Sequence, residues 1–319
     1  MWTQSPAKKR LPLVFFFLFV IVNCRAQKWQ TSTLLFFDTI CDLLLWCSPD
    51  QADAALKETT RVLSEVESEF SPGRAEAASP LRLDLMQKSF RIYNDSNGSF
   101  DITVGPLTEV WGFQSKDYRL PSAEELKVAL QVVGMEKIAR TPGAYALQPG
   151  MKFDWGGIAK GWGVDRAAAA LQKIGISRGF INAGGDLYCW GSNPEGKEWK
   201  IGIKHPRQKG FLGVLTISNL GVATSGDYQR YFERGGIRYH HIINPKTGFP
   251  AGGKQSVTVV GPETVYCDAL STALFVSPQP EEILKKYPDY GAVIVEASGN
   301  VVILGKAFSL ELSSSPGSQ

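Results

Sequence analysis

The sequence predicts an α+β fold, a single domain of antiparallel strands and packed helices behind an N-terminal signal peptide. Three observations carry this expectation. Strand-like and helix-like stretches alternate irregularly, without the regular strand-helix rhythm that builds a parallel sheet. No internal repeat and no linker rich in Pro, Gly or Ser divides the chain. Of 319 residues, 44% are hydrophobic and 11% aromatic, with 8 Trp, enough for one core and for a pocket lined by flat rings.

The elements follow in order. Residues 34–46 read as a strand. Over 51–70 the apolar residues Ala55, Leu56, Val62, Leu63 and Val66 fall at helical spacing, opened by Ser48-Pro49-Asp50 as cap and first turn and broken by Ser71-Pro72-Gly73. A second helix is expected over 81–93, with a turn at Asp95-Ser96-Asn97-Gly98. Residues 121–133 form an amphipathic helix, and 162–173 an Ala-rich one that Gly175 closes. From 180 to 239 strands and turns dominate, the clearest at 199–203 and 212–217, with another at 238–243. A helix is expected over 268–275, a closing hairpin from 292–296 and 301–304, and a frayed tail over 313–319.

Charge and cysteines narrow the function classes. Lys+Arg number 34 against 31 Asp+Glu, a net charge of +3. Four of the bases (Lys8, Lys9, Arg10 and Arg25) lie in residues 1–26, so the remaining chain is close to neutral. It has no basic arm for nucleic acid. The apolar run 11–22 behind Lys8-Lys9-Arg10 is too short to span about 30 Å of hydrocarbon and fits a signal-peptide core. Cleavage after Ala26 leaves a domain over 27–312. Val22-Asn23-Cys24 also resembles a lipobox, with Asn in place of the usual Gly, Ala or Ser, which would anchor the chain through a lipidated Cys24. Cys41 and Cys47 share one expected strand, and six residues of strand span about 20 Å, so they cannot pair. No CxxC or Cys/His spacing suggests a structural zinc.

Four segments concentrate the chemistry. In Phe153-Asp154-Trp155-Gly156-Gly157-Ile158-Ala159-Lys160-Gly161-Trp162 a carboxylate at a strand end precedes a Gly-rich turn and a lysine at the mouth of a helix. Such a turn lets backbone N–H groups approach an anion, although it is neither a Walker A loop nor a dinucleotide fingerprint. Asn182-Ala183-Gly184-Gly185-Asp186 closes a glycine pair with an acid. Ser225-Gly226-Asp227-Tyr228-Gln229-Arg230 precedes a strand bearing His240 and His241, whose alternation sends at most one histidine into a given site. Asp268 with Ser271 and Thr272, three and four residues on, makes an all-oxygen patch on one helix face, which suits Mg²⁺. Taken singly, each has a plain structural account: a strand-turn-helix junction, a tight turn, a half-exposed histidine, a helix-capping Asp.

In this order the segments resemble the ApbE family, the FAD:protein FMN transferases. The matching stretches are Asp101-Ile102-Thr103-Val104-Gly105-Pro106-Leu107 with Trp111-Gly112-Phe113, then 154–161, 182–186, 225–230, 241–248 and 268–272, covering about residues 34–305. The resemblance implies a single ApbE-like (T-fold-like) domain, exported to the periplasm or anchored to the inner membrane facing it. It implies Mg²⁺-dependent cleavage of FAD, with FMN linked by a phosphoester to a Thr or Ser of a target flavoprotein and AMP released. Targets would be exported domains of electron-transfer complexes.

Residue by residue, the resemblance implies FAD contacts at Phe70, Ser99, Phe100, Asp101, Asp154, Lys160 and Ile243, with Phe37 by the cofactor where the family usually has Met. It implies Mg²⁺ at Asp268 and Thr272, the Gly157 carbonyl as a third ligand, and Ser271 where some members have Asp. His241 matches the histidine assigned a catalytic role, and it or Asp268 would deprotonate the incoming hydroxyl. Asn244-Pro245 replaces the usual Asp-Pro turn, keeping the Asx hydrogen bond without the charge. Two rival functions stand beside it: a Mg²⁺-dependent FAD pyrophosphatase giving FMN and AMP at the same site, and an exported flavin-binding protein, against which Asp268, Thr272 and Lys160 speak because storage needs no metal at the pyrophosphate.

Overall fold

A computed structural model describes residues 26–71, 79–141, 143–306 and 308–313. The expected signal core with Cys24, the Pro72-Gly73 break and the tail beyond Ser313 lie outside them. The helices are α1 (Pro49–Phe70), α2 (Pro80–Asp95), α3 (Gly105–Val110), α4 (Ala123–Gln131), α5 (Ala159–Lys173), α6 (Thr264–Val276) and α7 (Pro280–Leu284). The strands up to the middle of the chain are β1 (Lys28–Phe36), β2 (Thr39–Cys47), β3 (Ala139–Thr141), β4 (Ala144–Ala146), β5 (Gly179–Ala183), β6 (Asp186–Trp190) and β7 (Trp199–Lys204). Then come β8 (Phe211–Ile217), β9 (Leu220–Gly226), β10 (Tyr231–Arg234), β11 (Ile237–His240), β12 (Lys254–Gly261), β13 (Gly291–Glu296), β14 (Val301–Gly305) and β15 (Ser309–Leu312).

An eight-stranded antiparallel sheet in the order β1-β2-β5-β6-β9-β12-β13-β14 organises the molecule. Alternation along its strands separates two faces. On β9, Ala223 joins the core beneath the helices and Ser225 bonds to α6, while Val222 joins the core on the opposite side. Helices α1, α5 and α6 cover the first face. The second is covered by a three-stranded sheet, β15-β8-β7, whose Trp199, Ile203 and Leu215 pack against Leu187, Val222 and Val260. Both faces of the central strands are thus dry, which explains why β12 and β13 are richer in apolar residues than a half-solvated sheet would need, while the outer strands β1 and β14 stay partly exposed.

Local chemistry sets the element ends. Ser48 caps α1 through a capping box with Gln51, and Pro49 stands in its first turn. Arg82 in α2 is buried and ion-pairs with Glu69 at 3.0 Å, tying α2 to the end of α1. Helix α6 is capped across space. The Asp165 carboxylate, from α5, accepts from the Thr264 and Val265 N–H groups at 2.8 Å each. Gly161 permits the close α5–α6 approach, since a Cβ there would lie 2.5 Å from the Thr264 carbonyl oxygen and 2.8 Å from the Asp268 Cβ.

Five expectations are corrected. Residues 34–46 are not one strand but the turn and arms of the β1–β2 hairpin, in which Phe36 pairs with Thr39. Phe37 and Asp38 both have φ of 56, the left-handed geometry a two-residue hairpin loop demands. Cys41 and Cys47 do share β2, and the four described cysteines are free and buried. Asp154 ends no strand; its N–H is held by the Ile102 carbonyl at 2.7 Å in irregular chain. Helix α6 begins four residues before Asp268, so that residue sits inside the helix and caps nothing. Strand β11 stops at His240, leaving His241 in the following turn. The β13–β14 hairpin is not the end of the fold, because β15 crosses to pair with β8.

Candidate functional site

The site grows from the first turn of α5. The chain leaves Asp154 through Gly156-Gly157, and the Asp154 carboxylate accepts from the Gly156 N–H at 2.9 Å, fixing the turn. Lys160, in that first turn, reaches back to the Gly156 carbonyl at 3.2 Å. Its ammonium also lies 2.7 Å from Asp186 and 3.5 Å from Asp268. Asp186 begins β6 directly after Gly184 and Gly185, which have φ of 63 and 107, so the glycine pair makes the β5–β6 turn tight enough to aim this carboxylate inward. Asp268 is held from α6, where its Oδ2 also accepts from the Gly161 N–H at 3.0 Å.

Two buried carboxylates share one ammonium, and the titration behaviour follows. Burial, then the neighbouring Asp186 charge, pushes the Asp268 carboxyl well above the ordinary carboxylate range. Burial pulls the Lys160 ammonium down, but Asp186 and Asp268 together outweigh it and hold the group protonated. With both carboxylates ionised the trio carries one excess negative charge; a further cation would relieve it, as a proton on Asp268 otherwise does.

Oxygen donors for such a cation surround Asp268. The Ser225 hydroxyl lies 2.7 Å from Ser271 and 3.0 Å from Thr272. Gly157 stands against the same group, because a Cβ on it would lie 3.3 Å from the Thr272 hydroxyl. Among the described residues no three Asp, Glu, His or Cys side chains cluster as a metal site. A cation here would thus rely on one or two carboxylates plus hydroxyl and carbonyl oxygens, a donor set that fits Mg²⁺, which keeps several waters and binds few protein carboxylates.

Beside these residues opens a cavity of about 1000 Å³, at the upper end for small-molecule sites. Its lining includes Phe37, Phe70, Phe153, Trp155, Asp154 and Lys160. Phe70 packs on Trp155 with ring centroids 4.9 Å apart and on Trp162 at 5.5 Å, giving a rigid aromatic wall. Phe37 is held in left-handed backbone geometry, which costs about 1–2 kcal/mol for a residue with a Cβ. Its N–H donates to Glu67 at 2.6 Å and its ring lies against Gly163, so neighbours enforce the conformation. Ile201, Lys204, Tyr228 and Arg230 also line the cavity.

Ser99, Phe100, Asp101 and Ile243 are buried and do not line this cavity, although the Phe100 ring stands against Gly157, where a Cβ would lie 3.4 Å from it. The Asp101 carboxylate accepts from the Thr103 N–H and hydroxyl at 2.7 and 2.6 Å and from the Met135 N–H at 3.3 Å; burial nevertheless raises its pKa to about 6. It also borders a smaller cavity of about 370 Å³ with Tyr93, Gly134 and Lys246. Ile243 bridges to Pro250. His241 approaches the Arg230 carbonyl through Nδ1 at 3.3 Å. A carbonyl only accepts, so Nδ1 carries the proton and Nε2 keeps its lone pair. Burial, then the Arg230 charge, lowers the His241 pKa to about 3. His240 points the other way, with Nε2 on the Ala251 carbonyl at 2.8 Å.

Sequence reasoning assigned no role to Asp186, Ser225, Arg230 or Trp155, though all lie in segments it singled out. The signal for Asp186 was the acid after a glycine pair.

Known proteins show the same arrangement of chain. The profile of the ApbE family matches residues 37–294. A Vibrio cholerae protein named FAD:protein FMN transferase is 33% identical over 251 residues, 72% of this chain and 75% of its own length. The Treponema pallidum protein of the same name is 28% identical over 337 residues, 91% of this chain and 93% of its own. Among solved structures, the ApbE protein of Thermotoga maritima superposes with a TM-score of 0.77 at 30% identity, covering 87% of this chain and 97% of that one. Flavin transferase ApbE from Vibrio cholerae gives 0.78 at 26% identity, covering 91% and 98%.

Proposed function

The chain belongs to the ApbE family, and from that membership we propose that it is an FAD:protein FMN transferase acting at the Asp154–Lys160–Asp268 site. The observation that carries the reading is the Lys160 ammonium, held by Asp186 and Asp268 at a glycine turn, beside a cavity walled by Phe70 and Trp155. Flat rings suit an isoalloxazine, and the lysine at a helix start suits a pyrophosphate. Asp268, Thr272 and the Gly157 carbonyl would hold Mg²⁺, with Ser225 and Ser271 beside them. When bound, the ion supplies charge neutralisation on the phosphates.

Positioning and electrostatics dominate phosphoryl transfer. The acceptor hydroxyl oxygen bonds to the FMN-side phosphorus, the pyrophosphate P–O bond breaks, and AMP leaves with the electron pair. The hydroxyl proton goes to Nε2 of His241. Asp268 is the poorer candidate, because its carboxylate is engaged by the Gly161 N–H and Lys160. The low basicity of free His241 follows partly from Arg230 and Lys160, and a pyrophosphate between those cations would raise it. Acceptors would be flavoprotein domains in the compartment to which the N-terminal segment would export this chain.

The test incubates the mature protein with FAD and Mg²⁺, with and without an exported flavoprotein domain, and measures AMP and a fluorescent flavin band on a denaturing gel. Acceptor-dependent labelling supports transfer. AMP without labelling would make the protein a pyrophosphatase, and neither product would leave it a binding protein.

A further inference from the structure

We propose that the free edge of β7 is the docking site for the acceptor polypeptide, which adds to it as an acidic extended strand; this rests on the reading of the chain as a protein-FMN transferase. Strand β7 ends the three-stranded sheet. Among the described residues, Trp199–Lys204 makes no backbone hydrogen bonds outside the β7–β8 ladder, so its outer N–H and C=O groups lack backbone partners. An open edge of this kind is a template for another chain. What sets it apart from an ordinary edge is its position. Ile201, Gly202, Ile203 and Lys204 line the cavity that also contains Lys160. An extended segment lying along β7 would present every second side chain to that space, which brings a Ser or Thr hydroxyl to the reacting phosphate without unfolding either protein.

Charge identifies the occupant. Lys200, Lys204 and Arg230 have no carboxylate partner among the described residues, whereas Arg207 close by is satisfied by two bonds to Asp227 at 2.8 and 2.5 Å. Lysines on an edge discourage pairing with neutral or basic strands and favour an acidic one. The other edge of the same sheet, β15, lies outside the cavity lining and serves as an internal control.

The test takes an exported flavoprotein domain that the wild-type enzyme labels, with its acceptor Thr replaced by Val so that the complex does not turn over. Hydrogen exchange is followed on the enzyme with FAD and Mg²⁺. Addition of the domain should slow exchange across Trp199–Lys204 by at least about tenfold and leave Ser309–Leu312 unchanged. Lys200→Glu should raise the KM for the unmodified domain about three- to tenfold, most at low salt, with the FAD dissociation constant unaltered. Unprotected β7 amides, equal slowing at both edges, or an unchanged KM would overturn the docking site while leaving the transferase reading intact. If the wild-type enzyme labels no domain at all, that reading falls and the docking site with it.

Discussion

Replacing Gly161 by Ala tests how closely the Asp268 carboxylate depends on the contact between α5 and α6. The new methyl would sit 2.5 Å from the Thr264 carbonyl oxygen, where ordinary contact begins near 3.4 Å, so the two backbones must part by about 0.9 Å. The 3.0 Å bond from the Gly161 N–H to Asp268 then stretches beyond hydrogen-bonding reach, and Asp268 moves relative to Lys160. Overpacking costs about 1–3 kcal/mol, and the better helix propensity of Ala returns about 1 kcal/mol. The net loss of at most about 2 kcal/mol corresponds to a Tm drop below about 8 °C for a domain of this size. Misplacing a reacting group by about 1 Å costs on the order of 100-fold in rate. Single-turnover AMP release and flavin labelling, read beside the melting curve, should show activity falling far more than stability. Labelling within about threefold of wild type, in a protein that melts normally, would refute the claim that this contact positions Asp268.

Three other outcomes are expected. Asp268→Ala should abolish Mg²⁺ binding in calorimetry and lower flavin transfer by at least about 100-fold; full activity would remove Asp268 from the mechanism. His241 has a folded pKa near 3 against about 6.5 when unfolded, so between these values the unfolded chain binds the extra proton. Its contribution to stability is complete above about pH 6.5 and is lost as pH falls toward 3, so urea midpoints of His241→Gln should decline less steeply with acid than those of wild type. Breaking the buried pair with Arg82→Ala should cost about 3–5 kcal/mol, because Glu69 keeps its charge without that guanidinium; a change under about 1 kcal/mol in chemical denaturation would contradict this.

Much of the fold was legible because it is written locally. The start of α1 lies in Ser48-Pro49 and Gln51, a capping box any reader of side-chain spacing can find. The β1–β2 hairpin was missed because Phe37-Asp38 lacks the Asn-Gly or Gly-Gly chemistry that announces a left-handed turn; Glu67 and Gly163, distant in sequence, enforce it instead. The start of α6 was missed for a similar reason, since its cap is Asp165, about a hundred residues away. At the site, Lys160 and Asp268 could be named from motif order, but that Asp186 lies nearer to the ammonium than Asp268 does could not.

The sequence by itself determined the family, the α+β class, the lysine and carboxylate of the site, and the chemistry an oxygen-rich patch can support, because residue type and spacing carry that information. Only the tertiary structure decided that Asp186 and Asp268 share one ammonium, that Asp101 spends its carboxylate on Thr103 and Met135, and that an unpaired strand edge opens onto the same cavity. Those facts depend on which distant elements meet, and burial and charge–charge energies vary with a few ångströms of separation that no linear spacing encodes.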